Sequence, residues 1–190
     1  MKALEEKIAS EGTILPGNIL KVGNFLNQKI DVEFTMEIGK EIARLFEGCG
    51  ATKILTVETS GIPMAFAAAS VMGLPLVFAK KHASANMSGD IYSAEVASFT
   101  HKKVYQIAVS SEYISPSDKI LLVDDFLAVG NALNGLISIC GQAGTEVVGI
   151  AVAIEKQFQG GGDALRKEGY RVESLAKIKS LDYESGIEFC

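Results

Sequence analysis

The stretch from residue 120 to residue 154 limits the possible folds more than any other part of the chain. It holds two apolar runs, 120–123 and 147–154. Between them Leu133, Leu136, Ile137, Ile139 and Cys140 recur at helical spacing before Gly144. Such runs read as strands buried on both faces, and a strand–helix–strand crossover joins parallel strands. The alternation extends in both directions. Asp31 caps a helix whose apolar stripe is Phe34, Ile38, Ile42, Leu45 and Phe46 and which ends near Gly48. Residues 53–58 read as a strand, 64–72 as an alanine-rich helix, and 76–79 and 104–110 as further strands. A short amphipathic helix carries Leu4 and Ile8, the turn Gly160-Gly161-Gly162 leads to a short helix from Asp163, and a last strand covers 171–178. Residues 12–30 show no sustained period. Residues 82–103 are polar and rich in Ser and Ala, and so long an aperiodic segment in a compact domain indicates a functional loop or a mobile hairpin. The expected fold class is α/β, a parallel sheet with helices on both faces, in a single domain over residues 1–190.

Composition narrows the function. With 190 residues, 48% of them hydrophobic and 22% charged, the chain can bury on the order of 70% of its unfolded surface. The net charge of −5 and the lack of any basic run exclude nucleic acid as an expected partner, because affinity for it comes from clustered Lys and Arg. No apolar run approaches the ~20 residues of a membrane span, and the first eight residues alternate charge with apolar side chains, so a cytoplasmic protein is expected. Cys49, Cys140 and Cys190 are odd in number, far apart and outside any metal-ligand spacing, which fits reduced thiols.

In a parallel sheet, ligands bind where loops leave the carboxyl ends of the strands. The most informative such loop follows the run 120–123: Asp124 and Asp125, then Phe126, Leu127 and the small-residue segment Ala128-Val129-Gly130-Asn131-Ala132 opening a helix. Free N–H groups at a helix start, at the positive end of its dipole, form a phosphate seat. Two carboxylates beside that seat are acceptors for sugar hydroxyls. Together they imply a ribose 5-phosphate, whereas paired aspartates alone also occur in ordinary acidic turns. Glu58-Thr59-Ser60-Gly61-Ile62 follows the strand at 53–58, and its glycine allows close approach of backbone to a ligand. Lys80-Lys81-His82 follows the strand at 76–79, where a lysine pair also serves as a solvated edge device. Glu155-Lys156-Gln157-Phe158 follows the run 147–154; Lys156 is either a snorkelling surface side chain or a donor to an exocyclic oxygen of an oxopurine. His82 and His101 have no visible partner and read as surface residues.

Residues 120–132 resemble the phosphoribosyl-diphosphate signature of type I phosphoribosyltransferases: apolar strand, two acids, three residues, Thr-Gly-x-Thr. The last four positions here are Val129, Gly130, Asn131 and Ala132, so both threonine hydroxyls are missing and backbone N–H groups carry the phosphate contacts. Such a hydroxyl-poor loop is similar to that of the xanthine phosphoribosyltransferases. The likeness extends over nearly the whole chain, through residues 20–27 (LKVGNFLN), 78–82 (FAKKH) and 169–176 (GYRVESLA).

The resemblance implies a type I phosphoribosyltransferase fold: a parallel-sheet core flanked by helices, a hood mainly from residues 1–30 and C-terminal elements, and a flexible loop. It implies transfer of 5-phosphoribose from its 1-diphosphate to xanthine. Asp124 and Asp125 would hold the ribose as the catalytic pair. Ala128, Val129, Gly130, Asn131 and Ala132 would hold the 5′-phosphate, and Glu58, Thr59, Ser60 and Gly61 the diphosphate. Lys81 would reach phosphoribosyl diphosphate in its own or a neighbouring subunit, and Leu20, Asn27 and Lys156 would contact the base. Mg²⁺ is expected as a complex with phosphoribosyl diphosphate, and the assembly as a homodimer. Two alternatives stay open: a phosphoribosyl-diphosphate sensor without catalysis, and an enzyme for hypoxanthine, guanine or adenine.

Overall fold

The computed structural model describes residues 1–81, 90–97 and 104–190. Helix α1 (Lys2–Glu11) precedes a hairpin of β1 (Thr13–Leu15) and β2 (Ile19–Lys21), a π-helical turn (Gly23–Asn27) and α2 (Val32–Leu45). There follow β3 (Lys53–Val57), α3 (Ile62–Met72), β4 (Leu76–Ala79), β5 (Ile91–Ala97) and β6 (Val104–Ser110). The chain then forms β7 (Lys119–Leu127), α4 (Asn131–Ala143), β8 (Glu146–Lys156), α5 (Gly161–Lys167), β9 (Val172–Asp182) and β10 (Gly186–Phe189). The main sheet has the order β10-β9-β8-β7-β3-β4. Its pairs are parallel except β10–β9, so an antiparallel strand closes one edge.

The anticipated helices α1 to α5 form where their apolar stripes fall. Asp31 caps α2, its carboxylate accepting the Phe34 N–H at 3.2 Å. One face of the sheet packs Ile38, Ile42, Phe46, Met64 and Ala68 of α2, its C-cap and α3, together with Leu4 and Ile8 of α1. The other face packs Leu133, Leu136 and Ile139 of α4 with Val96 and Ile107 of β5 and β6. The hairpin and α4 meet at Gly135, where a Cβ would lie 2.7 Å from Val96 Cγ2. Among the described residues no helix is long and apolar enough to cross a membrane.

Four expectations need correction. Residues 12–30 are not wholly irregular: β1 and β2 pair antiparallel across a turn with Gly17 at φ 84° and Asn18 at φ 59°. Strands of three residues are too short to show a period. Val104–Ser110 lies outside the parallel sheet and pairs antiparallel with β5, inside the segment read as aperiodic. Strand β10 carries no strong alternation and was not anticipated. Finally, β7 runs past its apolar section to Leu127, so Asp124 and Asp125 belong to the strand itself. His82 and His101 lie outside the described residues.

Candidate active site

Strand β7 is central in the sheet, and Ile120, Leu121, Leu122 and Val123 are completely buried. Burial of four such side chains stabilises by about 1.5–3 kcal/mol each, which offsets the cost of carrying carboxylates at the same strand's end. Asp124 is 5% exposed. Its Oδ1 accepts the Asp125 N–H at 2.9 Å, and Asp125 Oδ2 accepts the Asn27 side-chain N–H at 3.2 Å. Burial pushes the Asp124 carboxyl well above the ordinary carboxylate range, and the Asp125 charge adds to the rise. Burial raises Asp125 too, opposed by the amide of Asn27. No cation pairs with either carboxylate among the described residues, although the Lys81 charge draws Asp124 slightly downward.

After Leu127, residues 128–130 turn into α4 through Gly130 at φ 90°, a left-handed conformation that suits glycine. The first N–H groups of α4 have no intrahelical acceptor. The Asn131 side chain points to the β5–β6 hairpin, donating to the Ala97 carbonyl at 2.8 Å, which leaves its backbone N–H at the start of α4. A groove of about 500 Å³ between β5 and α4 includes Asn131 but neither aspartate.

The loop after β3 lies against the same pair. A Cβ on Gly61 would stand 3.0 Å from Asp124 Oδ1 and 2.3 Å from Thr56 Oγ1, so the loop passes here only as glycine. The Glu58–Thr59 peptide is cis. Glu58 Oε1 accepts the Lys81 N–H at 2.6 Å, and the Glu58 N–H donates to Ala79 at 3.0 Å, which ties this loop to the end of β4. Thr59 is exposed and Ser60 half-buried. The Lys81 ammonium lies 5.4 Å from the Tyr105 ring centroid, a cation–π distance.

The hood closes the other side. Leu20 is buried in β2 within the core, and Asn27 ends the π-helical turn beside Asp125. Lys156, at the end of β8, is half-buried and donates to the Asn18 carbonyl of the hood at 3.0 Å. Burial lowers its ammonium pKa. Among the described residues the Asn18 carbonyl engages one of its three N–H donors. Phe158 is 41% exposed beside it in sequence. The structure therefore joins Asn27 directly to Asp125, sets Gly61 against Asp124, and links Lys81 to Glu58. Lys156 meets the hood at Asn18 instead of the aspartates. Asn18 and Tyr105 gave no signal in the sequence. The first is known only from its turn, and the second sits in a strand of mixed pattern.

Residues 31–184 match the phosphoribosyl transferase domain, and the chain belongs to that family. It is 52% identical to the xanthine phosphoribosyltransferase of Bifidobacterium adolescentis over 191 aligned positions, covering 100% of this chain and 99% of that protein. It is 48% identical to the xanthine phosphoribosyltransferase of Limosilactobacillus reuteri, covering 100% and 98%. Among solved structures, its fold is similar to adenine phosphoribosyltransferase of Trypanosoma brucei in complex with AMP, pyrophosphate and ribose-5-phosphate (TM-score 0.74, 17% identity, 92% of this chain and 79% of that one). It is also similar to that of Giardia lamblia with 9-deazaadenine (TM-score 0.72, 22% identity, 84% and 86%). The expected type I phosphoribosyltransferase fold, an α/β sheet mostly of parallel strands flanked by helices, is the fold found.

Proposed function

We infer that the protein transfers the 5-phosphoribosyl group from 5-phospho-α-D-ribose 1-diphosphate to xanthine, giving xanthosine 5′-monophosphate and diphosphate in purine salvage. The observation that carries the chemistry is the pair Asp124–Asp125, the first buried and the second half-buried, with no ion pair among the described residues, on the strand that leads into the backbone seat at the start of α4. Full-length likeness to xanthine phosphoribosyltransferases supports the base.

In this reading, the two aspartates accept the ribose hydroxyls, and the backbone of 128–132 receives the 5′-phosphate. The loop 58–61 receives the diphosphate, with Glu58 holding the loop to Lys81 through its carboxylate. The C1–oxygen bond breaks with its electron pair leaving on diphosphate, a ribosyl cation-like state develops, and a ring nitrogen of xanthine bonds to C1 and loses its proton. Catalysis is positioning and electrostatics. Lys156 donates to an exocyclic oxygen of the base, Asn27 bridges the base site to the ribose site through Asp125, and Leu20 supports the hood over the base.

Among the described residues no group of three His, Cys, Asp or Glu side chains could hold a metal. Mg²⁺ would come bound to phosphoribosyl diphosphate, held by phosphate oxygens and water beside the loop 58–61, while Asp124 and Asp125 keep the ribose hydroxyls. Bound in that way, Mg²⁺ neutralises charge on the leaving diphosphate.

The whole chain works as one domain. Its hood is fastened to the C-terminal half by the Met1 amino group on the Leu175 carbonyl and by Leu4 and Ile8 in the cluster of Leu175 and Ile178. A cytoplasmic location fits the three free thiols. A homodimer fits the exposed Phe66 of α3 and Phe78 of β4. The test is diphosphate release from phosphoribosyl diphosphate and Mg²⁺ with a panel of purines. Xanthine should give the highest kcat/KM. Preference for adenine would move the protein to another purine, and ligand binding without turnover would make it a sensor.

A further inference from the structure

The phosphate seat lacks the side-chain hydroxyls that would fix a phosphate, so the position of its backbone must be set by something else. The turn before α5 supplies it. The Gly161 N–H donates to the Ala128 carbonyl at 3.1 Å. A Cβ there would lie 2.4 Å from Ala128 O, 2.6 Å from Val129 C and 2.8 Å from Gly130 N, so the two backbones touch. The next residue, Gly162, lies against a buried ion pair: a Cβ would lie 1.9 Å from Glu155 Oε1 and 2.8 Å from Arg166 Nη1.

That pair is complete. The Glu155 side chain is fully buried, and its oxygens accept Arg166 Nη1–H at 2.8 Å and Nη2–H at 2.7 Å, with the Ser174 hydroxyl as a third donor. Arg166 also reaches the Val172 carbonyl and Asp163. Glu155 sits opposite Leu127 in the β7–β8 register, beside the point where the phosphate loop leaves β7. A buried pair of this kind is weak evidence for net stability and better evidence for holding one arrangement.

We propose that Glu155 and Arg166 are positioning residues for the 5′-phosphate, clamping α5 to β8 so that Gly161 presses the phosphate-loop backbone into its binding shape. The proposal rests on the phosphate-seat reading above. The clamp takes over a task that loop hydroxyls perform elsewhere.

The test measures ribose 5-phosphate affinity by calorimetry and KM for both substrates in Gly161→Ala. The control is Gly169→Ala, which strains the far end of α5, where a Cβ meets nothing. Gly161→Ala should weaken ribose 5-phosphate binding and raise KM for phosphoribosyl diphosphate about tenfold or more, with KM for xanthine nearly unchanged. Gly169→Ala should lower the melting temperature without that split. Ser174→Ala, which leaves the backbone contact in place, keeps the test available if Gly161→Ala does not fold and should shift the same two constants by about twofold to threefold. Equal affinity in wild type, Gly161→Ala and Ser174→Ala would overturn the clamp and leave the seat intact. A wild-type protein that does not bind ribose 5-phosphate would overturn both.

Discussion

Strands β7 and β8 lie side by side, and each places a buried carboxylate at its carboxyl end, yet the two ends are electrostatic opposites. At β8, burial pushes Glu155 up, but the Arg166 guanidinium and the Ser174 hydroxyl outweigh it and hold the carboxyl below its ordinary value. At β7, burial raises both the Asp124 and Asp125 carboxyls, the Asp125 charge adds to the rise at Asp124, and among the described residues the protein answers with the Asn27 amide and backbone N–H groups but no ion pair. A carboxylate with all its partners inside the protein maintains structure. One that is desolvated and short of donors is prepared for partners that arrive, in the proposed function the hydroxyls of a ribose.

The contrast is open to experiment. The largest effect is expected at β8: Arg166→Met leaves the Glu155 carboxylate buried alone and should destabilise by about 3–5 kcal/mol in denaturant unfolding at neutral pH. A loss below about 1 kcal/mol would show that Glu155 is not held as described. Next, Lys156→Met should raise KM for xanthine by a factor corresponding to roughly 1–3 kcal/mol, because an oxygen of the base is left unpaired. KM for phosphoribosyl diphosphate should stay the same, and an unchanged xanthine KM would return Lys156 to the surface.

The two ends should also differ in sign with pH. A raised folded pKa adds stability that is complete below the unfolded value of 3.8 and is lost as pH rises through the folded value. Asp124→Asn keeps the acceptor for the Asp125 N–H and removes that charge, so it should melt higher than wild type at neutral pH, with the advantage shrinking in acid. Glu155 behaves oppositely, its stabilisation being present above 4.5 and lost as pH falls through its lowered value. The smallest effect is expected for Asn131→Ala, where loss of one bond to Ala97 should cost about 0.5–1.5 kcal/mol of stability and change kcat/KM less than about threefold.

The same two strands explain what could be read from sequence. The apolar runs of β7 and β8 and the stripe of α4 identified the parallel core, because strands buried on both faces leave continuous apolar segments. Asp124, Asp125 and the small-residue loop were legible because carboxylates after such a run have few structural uses. Lys156 stood out by its place after an apolar run, with two readings open, whereas Leu20 and Asn27 became candidates only through family resemblance; a leucine in a short strand and an asparagine in a turn carry no chemical signal of their own. The Glu155–Arg166 pair was not legible, since its partners lie 11 residues apart across a glycine turn and no local period links them. Strands β1, β2, β5 and β10 were missed for a related reason: short or half-exposed strands pair by register, and alternation is weak in them.

The central claim, that Asp124 and Asp125 stand without cations because ribose hydroxyls are their partners, is tested most directly by calorimetric titration of Mg²⁺–phosphoribosyl diphosphate. The titration is run into wild type and into the Asp124→Asn/Asp125→Asn protein, in acidic and in neutral buffer. Hydroxyl donors favour the ionised carboxylates, so wild-type binding should tighten as pH rises through the raised carboxyl range, and the double variant should bind about 10²-fold more weakly while remaining folded. Undiminished affinity in the folded double variant, with no change between the two buffers, would contradict the account.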